Sequence, residues 1–168
     1  MRTLGLDPGT AATGFGIVAF ENGRLTLETC GVWRPAARMA LPERLDFLFS
    51  AVVELLGQMH ADAVSVETVF AAKNIASALK LAHARGVLLA AASRCAVPVY
   101  EYEPRLVKKA LVGYGQAEKE QVRAMVLSLL ARQRARVPLD AADALAVAIC
   151  HIHAAPRGSE THPIARGC

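Results

Sequence analysis

The chain has 168 residues, 54% of them hydrophobic, and a net charge of +4, which suits one domain with a buried core and excludes a disordered polyanion binder. The first residues lack a basic flank and a long apolar run, and the best apolar stretch, residues 87–99, is short and holds Arg94; neither a signal peptide nor a membrane-spanning helix is expected. Charge is laid out unevenly, with −3 over residues 1–72, +8 over 73–136 and −1 over 137–168. A basic middle of that kind is either a face for a polyanion or a solvated arginine-rich surface.

Thr3 to Asp7 reads as a buried strand that ends on a carboxylate. Pro8-Gly9-Thr10 turns it into a second strand, Thr13 to Phe20, where Gly14 and Gly16 mark close approach of another element. Glu21-Asn22-Gly23 is a hairpin signal. The third strand, Arg24 to Trp33, alternates Leu25, Leu27, Thr29 and Gly31 with Thr26, Glu28, Cys30 and Val32. From Pro42 the period becomes helical: Leu45, Leu48, Phe49, Val52, Leu55, Leu56 and Met59 form one stripe.

Ala63 to Glu67 is a short buried strand, again closed by an acid. A loop with Phe70 and Lys73 follows, then a helix from about Asn74, its candidate N-cap, to Ser93. That helix carries Ala76, Ala78, Leu79, Ala82, Gly86, Val87, Leu89 and Ala90, with enough small residues among them to allow close packing on the sheet or on a second subunit. Val97 to Glu101 is the fifth strand. Short helices are expected over Pro104 to Val112 and near Glu118 to Arg132, and a last one over Leu139 to His153; residues 154–168 read as a flexible tail. The order gives an α/β fold: a three-strand antiparallel meander plus two parallel strands in one mixed sheet, with helices on both faces. Residues 1–153 form the single domain.

Four acids stand out. Asp7 and Glu67 end strands that can lie side by side, and Asp140 and Asp143, three apart, share one face of the last helix. Each has a plainer role available: a turn at Asp7, loop hydrogen bonds at Glu67, an N-cap at Asp140. Asp143 among Ala, Leu, Val and Ile has the least room for one. Converging carboxylates repel unless a cation lies between them, and an all-oxygen set suits Mg²⁺ or Mn²⁺. Two ions there would support in-line displacement at a phosphodiester. Phe70 can stack on an unpaired base while Lys73 meets phosphate, or it can staple the following helix. Arg105, Lys108, Lys109, Lys119 and Arg123 can line a phosphate groove, Lys108 and Lys119 flanking the Gly113-Tyr114-Gly115 turn. Cys30, Cys95, Cys150 and Cys168 form no C-x-x-C pair and read as reduced thiols. Cys150-His151-Ile152-His153 does not present a zinc set, because neighbours on a helix face apart.

Four stretches together resemble the RuvC family of Holliday-junction resolvases, which has an RNase H-like fold. They are Leu6-Asp7-Pro8-Gly9-Thr10 with Thr13-Gly14-Phe15-Gly16; Val66-Glu67-Thr68-Val69-Phe70 with Lys73-Asn74 and Ser77-Ala78-Leu79-Lys80-Leu81; Val107-Lys108 with Val112-Gly113 and Ala117-Glu118-Lys119; and Asp140-Ala141-Ala142-Asp143-Ala144-Leu145-Ala146. The resemblance runs from Leu4 to His153. It implies a cytoplasmic, homodimeric, divalent-metal-dependent endonuclease that resolves four-way junctions by paired symmetric nicks in recombination and repair, with the RuvA and RuvB branch-migration proteins as partners. It makes Asp7, Glu67, Asp140 and Asp143 the catalytic metal ligands. It matches Phe70 to an aromatic at the opened branch point, and Lys108 and Lys119 to basic residues serving DNA binding or catalysis. Lys73, Asn74, Lys80, Arg85 and Lys109 complete the expected DNA contacts. Some relatives carry His where Asp140 stands. Asp7-Pro8-Gly9-Thr10 also resembles the first phosphate loop of the actin, sugar-kinase and heat-shock ATPase superfamily, but this chain lacks a second lobe. A junction-binding module without cleavage, and a nuclease acting on RNA–DNA hybrids or pre-ribosomal RNA, are the other readings.

Overall fold

The computed structural model describes residues 1–68, 75–131 and 136–155. Five strands form one sheet: β1 (Arg2–Asp7), β2 (Thr13–Glu21), β3 (Arg24–Trp33), β4 (Ala63–Glu67) and β5 (Val99–Tyr102). Among the described residues five helices accompany them: α1 (Leu41–Gln58), α2 (Ile75–Arg94), α3 (Pro104–Val112), α4 (Lys119–Leu129) and α5 (Leu139–Ala154). The sheet order is β3-β2-β1-β4-β5. β1, β2 and β3 are antiparallel neighbours, while β4 is parallel to β1 and β5 parallel to β4. The expected meander and two parallel strands are both present.

Local chemistry accounts for the turns. Asn22 and Gly23 both take positive φ, 52° and 78°, as a two-residue hairpin requires. β5 starts two residues later than its sequence suggested, because Ala96 leaves α2 in a left-handed conformation (φ 56°) and Val97 still donates to the Ala92 carbonyl. α4 likewise stops at Leu129, with Ala131 at φ 51°; Arg132 lies outside the described residues, as do 156–168 of the expected tail.

β3 departs from strict alternation. Ile17 faces Thr29 but Val18 faces Leu27, so Glu28 is the extra residue of a bulge. Beyond it the faces exchange. Leu25, Leu27, Cys30 and Val32 therefore all pack against the same core, whereas simple alternation would separate Cys30 and Val32 from the two leucines. Glu28 also receives the Arg2 guanidinium, Nε to Oε1 at 2.8 Å.

Two cores flank the sheet. On one face Leu4, Leu6, Ile17, Val64 and Val66 pack with Leu48 and Val52 of α1 and with Ala84, Leu88, Ala91 and Ala92 of α2. By length and composition alone α2 is long and apolar enough to cross a membrane; here those four side chains seat it on the sheet. On the other face lies α5, with α3 and α4 packed over it through Val107, Leu111, Val122 and Val126. α5 is buried nearly all round, from Ala141 to Ile152 apart from Asp143. It comes close to the sheet because β1 and β2 place glycines where its backbone and Leu145 pass. A Cβ on Gly5 would strike the Ala144 carbonyl, and one on Gly14 the Asp140 carbonyl.

Candidate active site

Strand parity brings the first two acids to one side. Leu4 and Leu6, and Val64 and Val66, point into the α1–α2 core. Gly5 and Asp7, and Ser65 and Glu67, therefore face α5. With Leu6 opposite Val66 in the parallel pair, Asp7 and Glu67 leave the same end of adjacent strands. The glycine bed then sets the N-terminal half of α5 over that end. Asp140 lies in its first turn and Asp143 one turn on, both half-buried. Pro138, not Asp140, holds the N-cap position.

The electrostatics follow from this convergence. Burial, then the charges of Asp143 and Glu67, push the Asp7 carboxyl up to about 7, with Lys119 opposing and Asp140 adding. Glu67 is raised by burial and by Asp143, with Lys119 and Lys108 opposing. Lys119 Nζ donates to Asp143 Oδ2 at 2.8 Å, and that bond is the main reason its own pKa rises. Arg34, just past β3, reaches Asp140 Oδ2 at 3.4 Å. Acids of this kind destabilise one another and call for positive charge.

The loop after Asp7 is closed by Thr13, a fully buried residue. Its hydroxyl donates to the Gly9 carbonyl at 2.7 Å and accepts from the Gly9 N–H at 3.2 Å. Thr68, after Glu67, is tied to the Tyr102 carbonyl by both its N–H (2.9 Å) and its hydroxyl (3.3 Å). The Tyr102 hydroxyl lies 2.7 Å from His151 Nδ1 on α5. Burial holds His151 down at about 4, so it is neutral at pH 7, and its ring tautomer sets which of the two side chains donates.

Lys108 and Lys119 converge: both line a cleft of about 60 Å³ with Glu67, Asp143, Pro104, Val107, Val122, Ala146 and Val147. Lys109 is exposed on α3. Lys80 is exposed on α2, and Arg85 pairs with Glu101 of β5; their helix covers the opposite face of the sheet from α5. Phe70, Lys73 and Asn74 lie outside the described residues. Cys150 is buried, and burial pushes its thiol up to about 12.

Among the described residues, no three His, Cys, Asp or Glu side chains stand close enough to share an ion as they are. Lys119 and Arg34 hold the α5 carboxylates instead. The donor set nevertheless fits a hard divalent cation: oxygens only, mutually repelling, with Asp7 driven toward its neutral form where no cation compensates it.

Arg34, Tyr102 and His151 carry no local signal of these roles. Arg34 meets an acid 106 positions away, and only the completed sheet joins them.

The model of the family described as crossover junction endodeoxyribonuclease RuvC matches residues 3–151. The curated crossover junction endodeoxyribonuclease RuvC of Roseiflexus sp. (strain RS-1) is 46% identical over 155 residues, 92% of each chain. That of Syntrophomonas wolfei is 46% identical over 153 residues, 91% of this chain and 89% of the other. The solved structure of Thermus thermophilus RuvC superposes with a TM-score of 0.84 at 36% identity, covering 91% of this chain and 94% of that one. The same protein in complex with a Holliday-junction substrate gives 0.83 at 34% identity, with the same coverage.

Proposed function

The chain belongs to the RuvC family of crossover junction endodeoxyribonucleases, and from that premise we infer that its four converging carboxylates carry the cutting chemistry of a Holliday-junction resolvase. It is a structure-selective endonuclease with an RNase H-like fold that hydrolyses phosphodiesters in four-way DNA junctions, and it uses divalent metal. The finer assignments are our reading. Asp7, Glu67, Asp140 and Asp143 would hold Mg²⁺ or Mn²⁺, two ions per site. Such ions, when bound, supply an activated water and stabilise the leaving oxygen of an in-line displacement.

The observation that supports the assignment is that Asp7 and Glu67 leave the same end of adjacent strands beneath the half of α5 that bears Asp140 and Asp143, with burial and these neighbours raising the Asp7 carboxyl. The protein's own groups do the remaining work. Strand ends hold Asp7 and Glu67 rigidly, and α5 holds the other pair. Lys119, 68% exposed at its side chain, is free to leave Asp143 for a phosphate oxygen. Lys108 faces the same cleft from α3 and biases it toward a polyanion. Phe70, Lys73, Asn74, Lys80, Arg85 and Lys109 remain candidate DNA contacts; the pairing of Arg85 with Glu101 gives it a structural role as well.

A homodimer would place one site on each of two strands of like polarity. The outer face of α2 supports this: Ile75 and Leu79 are 80% and 55% exposed, and Ala82, Gly86 and Ala90 continue the row at helical spacing. RuvA and RuvB are the partners we expect, in the cytoplasm.

The decisive experiment is cleavage of a mobile synthetic four-way junction, with linear duplex and RNA–DNA hybrid controls, with and without each metal. Paired symmetric nicks on the junction alone are expected. Asp143→Asn should cut at least about 100-fold more slowly while still binding the junction. Undiminished cleavage by that variant would remove Asp143 from the ligand set.

A further inference from the structure

Arg44, in the first turn of α1, spends its guanidinium on three main-chain carbonyls in two separate segments. Nε donates to Met39 at 2.9 Å, one terminal nitrogen to Ala37 at 2.7 Å, and the other to Thr10 at 3.3 Å. Thr10 belongs to the loop that follows Asp7. Ala37 and Met39 belong to the segment joining β3 to α1, which begins with Arg34, the partner of Asp140. That segment is also closed by its own turn, Met39 N–H to Ala36 at 3.0 Å, and by Glu43 accepting from the Ala40 N–H at 2.7 Å. One planar cation thus joins the surroundings of two of the four acids. A lysine, with one nitrogen on a flexible stem, cannot span three carbonyls in that plane.

We propose that Arg44 is a positioning residue for the cutting centre: it fixes the loop after Asp7 against the segment that carries Arg34, and so sets turnover without touching DNA. The Thr10 bond makes the difference. A bond to Ala37 and Met39 alone would only finish the N-terminus of α1, whereas Thr10 lies 34 positions away, in the loop three residues after Asp7. Thr13 closes the loop on itself through Gly9, whereas Arg44 ties that closed loop to the segment carrying Arg34, so loss of Arg44 leaves the loop intact but free to shift as a unit. A displacement of about 1 Å at a reacting centre costs on the order of 100-fold in rate.

The inference rests on the nuclease reading of the four acids. The test uses the full chain with Arg44→Lys, and with Arg44→Gln as a second variant. Turnover and KM are measured on a mobile four-way junction, alongside thermal melting and amide hydrogen exchange. The expected result for either variant is turnover lower by about tenfold to about 100-fold, with KM unchanged and only a small fall in melting temperature. Faster exchange should be confined to residues 9–12 and 36–40. Unchanged turnover overturns the proposal. So does a rise in KM alone, which would make Arg44 a DNA contact, or a large fall in melting temperature with exchange rising throughout, which would make it a general fold contact. If the wild-type chain cuts no junction, the nuclease reading fails, and the exchange pattern still decides whether Arg44 restrains the loop.

Discussion

Asp7 shows at the scale of one residue how a site of this kind works against its own fold. Its carboxyl is raised to about 7, against an ordinary value of 3.8. Without metal, ionising it opposes folding, and the sign follows from linkage. Below about pH 4 the group is neutral folded or unfolded and costs nothing. Between there and pH 7 the unfolded chain gives up the proton more readily, and stability falls; above 7 the cost is complete. Asp7→Asn should therefore raise the melting temperature of the metal-free protein at pH 8 and leave it nearly unchanged at pH 4, while abolishing cleavage. An equal shift at both pH values would show that repulsion is not the cause. The sequence made the four acids legible because each closes or opens an apolar element. Their basic counterparts were only half legible: Lys119 stood out by resemblance and by its place beside a glycine turn, whereas Arg34 and Arg44 act through contacts that exist only once distant segments meet.

At the scale of elements, α5 and the glycines beneath it settle the geometry. Gly14→Ala would drive a methyl into the Asp140 carbonyl, and overpacking of that sort costs about 1–3 kcal/mol or more. We expect a urea midpoint lowered accordingly, with cutting reduced further than the lost stability explains, because the displaced carbonyl belongs to a proposed ligand. A neutral Gly14→Ala would mean that α5 can rise without disturbing the site. Gly14 and Gly16 were readable in advance as points of close approach, although the element approaching them was not. Helical periodicity found α1 through Leu48 and Val52, which are buried as that stripe requires. The bulge at Glu28 was not readable, since the register of a strand depends on its neighbour and β3 pairs with only one. The shift of β5 has a similar cause: Ala96 ends α2 in a conformation that its side chain does not advertise.

For the whole molecule, the two packing options open to α2 resolve into two faces of one helix. Ala84, Leu88, Ala91 and Ala92 lie on the sheet, while Ile75, Leu79, Ala82, Gly86 and Ala90 face outward. If a second copy covers that outer row, Leu79→Glu should yield monomers in sedimentation, with single nicks in place of paired ones; a variant that remains dimeric would place the interface elsewhere. The charge map of the sequence has a counterpart in space, because Lys108 and Lys119, both from the basic middle, line the cleft beside Glu67 and Asp143. One further consequence belongs to α5. Its central turns are buried on nearly every side, and two of the proposed ligands ride on its first turns. Blade and keel are cut from the same timber, with no hinge between them at these carboxylates. Ligands anchored this way should make the ease with which a branched duplex deforms a determinant of selectivity, and junctions of graded stiffness should then be cut at graded rates.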